Sequence, residues 1–62
     1  MKLETHLSRN EYPDGFWLQS GEAFVLVDPK KPDEYNETVR RQGWHNVKKV
    51  EHEDGELSTI FI

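Results

Sequence analysis

The chain reads as a small α+β domain, a four-stranded antiparallel or mixed sheet packed against one helix in the order ββαββ. Three observations predict it. The stretch GFWLQSGEAFVLV is a pair of apolar runs interrupted at Ser20-Gly21. A second pair of apolar runs, NVKKV and LSTIFI, flanks Asp54-Gly55. Between the pairs, Pro32 to Gln42 carries helix-start chemistry at one end and helix-stop chemistry at the other.

Residues 1–15 form a polar N-terminal segment in which Leu3 and Leu7 are the main apolar side chains. The alternation of Leu3, Thr5 and Leu7 allows a short extra strand. Pro13-Asp14-Gly15 closes the segment with turn chemistry, a preset φ followed by a residue that accepts a positive one.

In the first hairpin, a two-residue loop at Ser20-Gly21 opposes Gln19 to Glu22, Leu18 to Ala23, Trp17 to Phe24 and Phe16 to Val25. Phe16, Leu18, Ala23, Val25 and Val27 then share one face, and Trp17, Phe24 and Leu26 the other. Both faces are apolar. A half-solvated antiparallel sheet turns one polar face to water, so each side of this hairpin calls for a cover.

Pro32 suits the first turn of a helix, where its missing N–H costs nothing. Asp33 and Glu34 lie near the positive end of the helix dipole and Arg40 and Arg41 near the negative end, with Glu37 placed to pair with Arg41 at i+4. Gly43 is expected as the left-handed residue that ends the helix, and Trp44 as the side chain that folds back to Val39. The apolar stripe is little more than Tyr35 and Val39, so the helix depends on docking rather than on intrinsic propensity.

A two-residue loop at Asp54-Gly55 opposes Glu53 to Glu56, His52 to Leu57, Val50 to Thr59, Lys48 to Phe61 and Val47 to Ile62. Ile60 and Ile62 point one way, Leu57 and Phe61 the other, so the last strand reads as internal to the sheet. This element order resembles the ββαββ architecture of small immunoglobulin-binding domains. The resemblance is one of order alone, and no shared motif extends it to function.

A chain of 62 residues holds one domain and one modest core. With no cysteine there is no disulfide, thiolate nucleophile or Cys-type zinc site. The absence of an apolar run of signal-peptide or membrane-spanning length makes a cytoplasmic location the default expectation. The net charge of −4 argues against a general affinity for polyphosphate. Charge is uneven, however: Pro29 to Val50 carries six bases and three acids, a local +3 that leaves −7 elsewhere.

Chemistry-bearing patterns are few. There is no glycine-rich phosphate loop, no G-x-S-x-G and no histidine pair at helical spacing, and His6, His45 and His52 are dispersed. EHEDGE gathers carboxylates around His52 without the ligand ladder of a calcium loop, and reads as a solvated hairpin tip. His45 has no hydroxyl or thiol nucleophile in a recognisable pattern beside it and is expected to hydrogen-bond the helix end. No catalytic residue, metal ligand or cofactor is expected.

The residues point instead to a non-catalytic, acidic protein-interaction module, an inhibitor, an adaptor or a self-associating domain, binding through a sheet face or edge. Trp17, Phe24, Leu26 and Tyr12 are the candidate partner-binding residues, because one helix covers only one face and aromatic side chains anchor interfaces. Residues 1–15 are the alternative cover for that second face, through Leu3, Leu7 and Tyr12. The expected partner is another protein or a second copy of the chain, with no membrane involved. By size and charge, a phage-type antagonist of a host enzyme fits. The alternative is a nucleic-acid-binding domain using Lys30, Lys31, Arg40, Arg41, Trp44, Lys48 and Lys49 around the helix ends. It is weakened by the dipole role of the arginines and by the opposite directions of Lys48 and Lys49.

Overall fold

The computed structural model describes residues 1–62. Its elements are α1 (Leu3–Leu7), β1 (Phe16–Ser20), β2 (Ala23–Val27), α2 (Pro32–Gln42), β3 (Lys49–Glu51) and β4 (Thr59–Phe61). The α+β class and the ββαββ order hold. The four strands lie in the order β2-β1-β4-β3. Each hairpin is antiparallel, and β1 and β4 join them as the parallel central pair, so the last strand is internal.

The core is formed by Leu3, Leu7, Phe16, Leu18, Val27, Ile60 and Ile62, with Tyr12, Tyr35, Val39, Val47 and Val50 packed against it. Leu3 and Ile60 are completely buried and Phe16 nearly so. Full burial of a side chain of this kind contributes roughly 1.5–3 kcal/mol. No residue outside the apolar set and glycine is buried. Helix α2 delivers only Tyr35 and Val39 to this core, in keeping with its thin stripe, and none of its residues is fully buried.

The N-terminal segment differs from the strand the alternation allows. It forms a short helix, and the strand-like component reduces to one isolated bridge between Lys2 and Asn46. A separation of four residues places Leu3 and Leu7 on one side of a strand and equally on one face of a helix, so the pattern satisfies both periods. Tertiary contacts decide. The N–H groups of Leu3 and Glu4 donate to the carbonyls of His45 and Gly43 at 2.8 and 3.0 Å, satisfying donors at the start of α1 that lack a side-chain cap. Leu3 and Leu7 therefore enter the core on the side of α2, and the first turn of the chain does not cover the opposite sheet face.

Both hairpin registers differ from expectation, with different consequences. The first pairs Ser20 with Ala23, Gln19 with Phe24, Leu18 with Val25, Trp17 with Leu26 and Phe16 with Val27. Its loop is Gly21-Glu22, with Gly21 at φ +60, the glycine-first arrangement of a type II′ turn. Each β1 residue meets a partner two positions later than expected, and an even displacement keeps every side chain on its predicted face. The second hairpin pairs Lys49 with Phe61, Val50 with Ile60 and Glu51 with Thr59. Its tight turn does span Asp54-Gly55, closed by the Glu56 N–H on the Glu53 carbonyl at 3.1 Å, but the ladder stops well short of it. This odd displacement turns Val50 to the core beside Ile60 and Lys49 to the other face beside Phe61.

The end of α2 also departs from expectation. Gly43 has φ −62, a right-handed value, so it is not the left-handed terminator. A Cβ on Gly43 would collide with the Val39 carbonyl of α2 and lie 3.0 Å from the Glu4 Cβ, so glycine is required there first by the last turn of α2 itself and then by the close approach of α1. Trp44 stands 63% exposed, its indole Nε1–H donating to the Arg41 carbonyl at 3.0 Å and its ring stacked on His45 at 3.8 Å. The His45 contact with the helix end is made by its backbone N–H, which donates to Gln42 at 3.1 Å.

Candidate interaction surface

With α1 and α2 both contributing to one core layer, the opposite face of the sheet is bare. The observed registers set two rows of side chains across it. One runs Phe24, Gln19, Phe61, Lys49, and the other Leu26, Trp17, Thr59, Glu51. The β2 and β1 end is apolar: Trp17 and Phe24 stack with ring centroids 4.6 Å apart and planes inclined by 4°. Phe24 is 55% exposed and Leu26 48%. The β3 end is charged and internally paired. Lys49 Nζ lies 4.6 Å from the Phe61 ring centroid and 3.3 Å from a Glu51 carboxylate oxygen.

Trp17, Phe24 and Leu26 are thus brought together as the sequence suggests, but Tyr12 is not with them. Tyr12 packs against the core, 5.3 Å from the Phe16 ring, and its hydroxyl hydrogen-bonds His6 Nε2 at 2.6 Å. Burial, reinforced by the nearby Glu11 carboxylate, raises its hydroxyl above the ordinary tyrosine value. Phe61, Gln19 and Lys49 complete the face. Phe61 is the β4 side chain on this face, since Ile60 and Ile62 are buried in the core.

The basic residues do not converge. Lys30 and Lys31 precede the first turn of α2, with Lys30 Nζ 3.9 Å from Asp14, whereas Arg40 and Arg41 occupy its last turn, on the order of 15 Å away along the axis. Both arginines bind Glu37, Arg41 Nε at 2.7 Å, and this pair of donors holds the Glu37 carboxyl below its usual range. Lys49 is turned to the bare sheet face, over Phe61 and paired with Glu51, away from both helix ends. Trp44 is exposed beside His45 rather than on the sheet face.

One polar pairing was not legible in the sequence: His52 Nδ1 lies 2.6 Å from Ser58 Oγ across the open part of the second hairpin. Both belong to the exposed loop, and neither lines a cavity. The bond ties the loop ends together. No three His, Asp or Glu side chains converge on a point that could hold a cation. No helix is long and apolar enough to cross a membrane.

The geometry defines a small α+β domain with one core layer and one uncovered, partly aromatic sheet face. No protein family, curated protein or solved structure matches the chain.

Proposed function

We propose that the chain is a non-catalytic protein-interaction module that binds a partner protein through the bare sheet face centred on Trp17, Phe24 and Leu26. The observation that carries this reading is the placement of both helices on one side of the sheet, which leaves a stacked Trp-Phe pair and an exposed leucine with no intramolecular cover. Aromatic side chains with an apolar neighbour and a charged rim are what interface centres are made of. An inhibitor, an adaptor and a self-associating domain all use such a face.

A photo-crosslinking amino acid in place of Phe24 tests it. Under native conditions it should give one discrete adduct, lost on denaturation, whereas the same group at exposed Asn36 on α2 should give none. Equal labelling from the two positions sinks the reading. Sedimentation across micromolar concentrations separates the self-associating form from a heterologous partner. Nucleic-acid binding is the other reading, with exposed Trp44 in its favour and the separation of the basic residues against it. It requires affinity for single-stranded oligonucleotides that falls steeply with salt.

A further inference from the structure

The two edges of the sheet are built differently. Edge strand β3 is three residues long and carries Lys49 and Glu51, the charged, short form with which proteins protect an edge. Edge strand β2 is Ala23-Phe24-Val25-Leu26-Val27, without a charge or proline, and its first four residues are exposed. Its backbone is unpaired on the outer side. The Trp17 N–H and the Gln19 carbonyl bond toward β4, so Phe16, Leu18 and Ser20 bond toward β2 and engage Val27, Val25 and Ala23. The N–H and C=O groups of Phe24 and Leu26 therefore point outward.

A groove runs along this edge on the helix side. Helix α2 leaves Ala23 and Val25 uncovered, and two hollows of about 220 and 330 Å³ meet at Val25 and Thr38. A strand added to β2 would place alternate side chains in this groove and the others beside Phe24 and Leu26 on the bare face.

Charge selects the occupant. Glu22 and Asp28 stand at the two ends of the apolar run. Nearby cations offset them only in part: at the Val27 end Lys31 is outnumbered by Asp28 and Glu34, and at the Ala23 end Arg41 is tied to Glu37, a carboxylate it shares with Arg40. A second copy pairing antiparallel about Val25, the register that matches the whole apolar run, would set Phe24 opposite Leu26 and Glu22 opposite Asp28, twice, which is a like-charge arrangement. The registers centred on Phe24 or Leu26 would set Glu22 against Leu26 or Asp28 against Phe24. We infer that β2 accepts, by antiparallel strand addition, an extended segment of a different protein that is apolar at its centre and basic at positions six residues apart, facing Glu22 and Asp28. The inference rests on the interaction reading above and names its binding mode and partner chemistry.

The probe is the peptide acetyl-Lys-Thr-Val-Val-Val-Thr-Lys-amide, titrated into the isotope-labelled chain at low salt. Expected are slowed hydrogen exchange at the Phe24 and Leu26 amides, binding about tenfold tighter than that of the peptide with Glu at both ends, and loss of binding when the third and fifth peptide nitrogens are methylated. Glu22→Lys, at an exposed turn position, should narrow the preference for the basic peptide. Unchanged exchange at the two amides overturns strand addition, and equal binding of the acidic peptide overturns the basic partner. A concentration-dependent dimer that protects those amides without peptide overturns the heterologous occupant and makes a second copy the occupant. If strand addition fails while the Phe24 crosslink still forms, the face reading stands alone. If the crosslink fails too, both fall.

Discussion

Glu4 and Gly43 meet where α1 docks on the end of α2: the Glu4 N–H donates to the Gly43 carbonyl at 3.0 Å, and a Cβ on Gly43 would stand 3.0 Å from the Glu4 Cβ. An added methyl would also collide with the Val39 carbonyl, so Gly43→Ala should destabilise the fold by about 1–3 kcal/mol through overpacking, although alanine normally favours a right-handed helix end. At Gly21 nothing lies within 4 Å of an added Cβ, so Gly21→Ala should cost only about 1–2 kcal/mol for its left-handed backbone. Urea unfolding of both variants checks the contrast. A stabilised Gly43→Ala would remove the close-approach explanation.

Leu3→Ala and Ile60→Ala should each cost about 2–5 kcal/mol, because both side chains are fully buried and truncation leaves a cavity. In a domain of this size that approaches the total stability, so both variants should be largely unfolded at room temperature by circular dichroism. A folded, cooperative Leu3→Ala would mean that α1 is not part of the core.

Phe24→Ser should destabilise by only about 0.5–1.5 kcal/mol, since the side chain is 55% exposed and loses mainly its stacking on Trp17. Binding of a hydrophobic dye and Trp17 fluorescence should both change. A large loss of stability would show Phe24 to be a core residue, and with it the interaction reading would lose its centre.

Acid should weaken α2 through Glu37. Its carboxyl is held below the unfolded value of 4.5 by the Arg40 and Arg41 hydrogen bonds. That contribution is present above pH 4.5 and is lost as pH falls through the lower, folded value. Helix content followed down the acid limb should show this component in the parent and not in Glu37→Gln. At alkaline pH the sign follows from burial, which raises Tyr12, with Glu11 adding to it, and raises Tyr35 above 10.0. Their stability contribution is present below pH 10.0 and lost as pH rises through the folded values. Tyr35→Phe should make the alkaline limb shallower.

Much of the architecture was legible locally. The bounds of α2 follow from Pro32 and the residues before Gly43, and its Glu37-Arg41 pair follows from i+4 spacing. Trp17, Phe24 and Leu26 were legible as one face even though the hairpin register was not, because a two-residue displacement preserves strand parity. The same argument failed in the second hairpin, where the odd displacement moved Lys49 and Val50 to opposite faces from those expected. Turn geometry sets register, and the identity of Asp54-Gly55 specifies a tight turn without specifying how far the ladder extends from it.

Local pattern was enough for the two hairpins, for α2, for their order and for the apolar character of both sides of the first hairpin, since periodicity, turn residues and charges near helix ends act over a few neighbours. Only the tertiary structure decided that Leu3 and Leu7 belong to a helix, that Tyr12 lies with the core, and that the Trp17 and Phe24 face is left bare. Those outcomes depend on backbone bonds from Leu3 and Glu4 to His45 and Gly43, residues far apart along the chain, and local pattern carries no information about such a meeting.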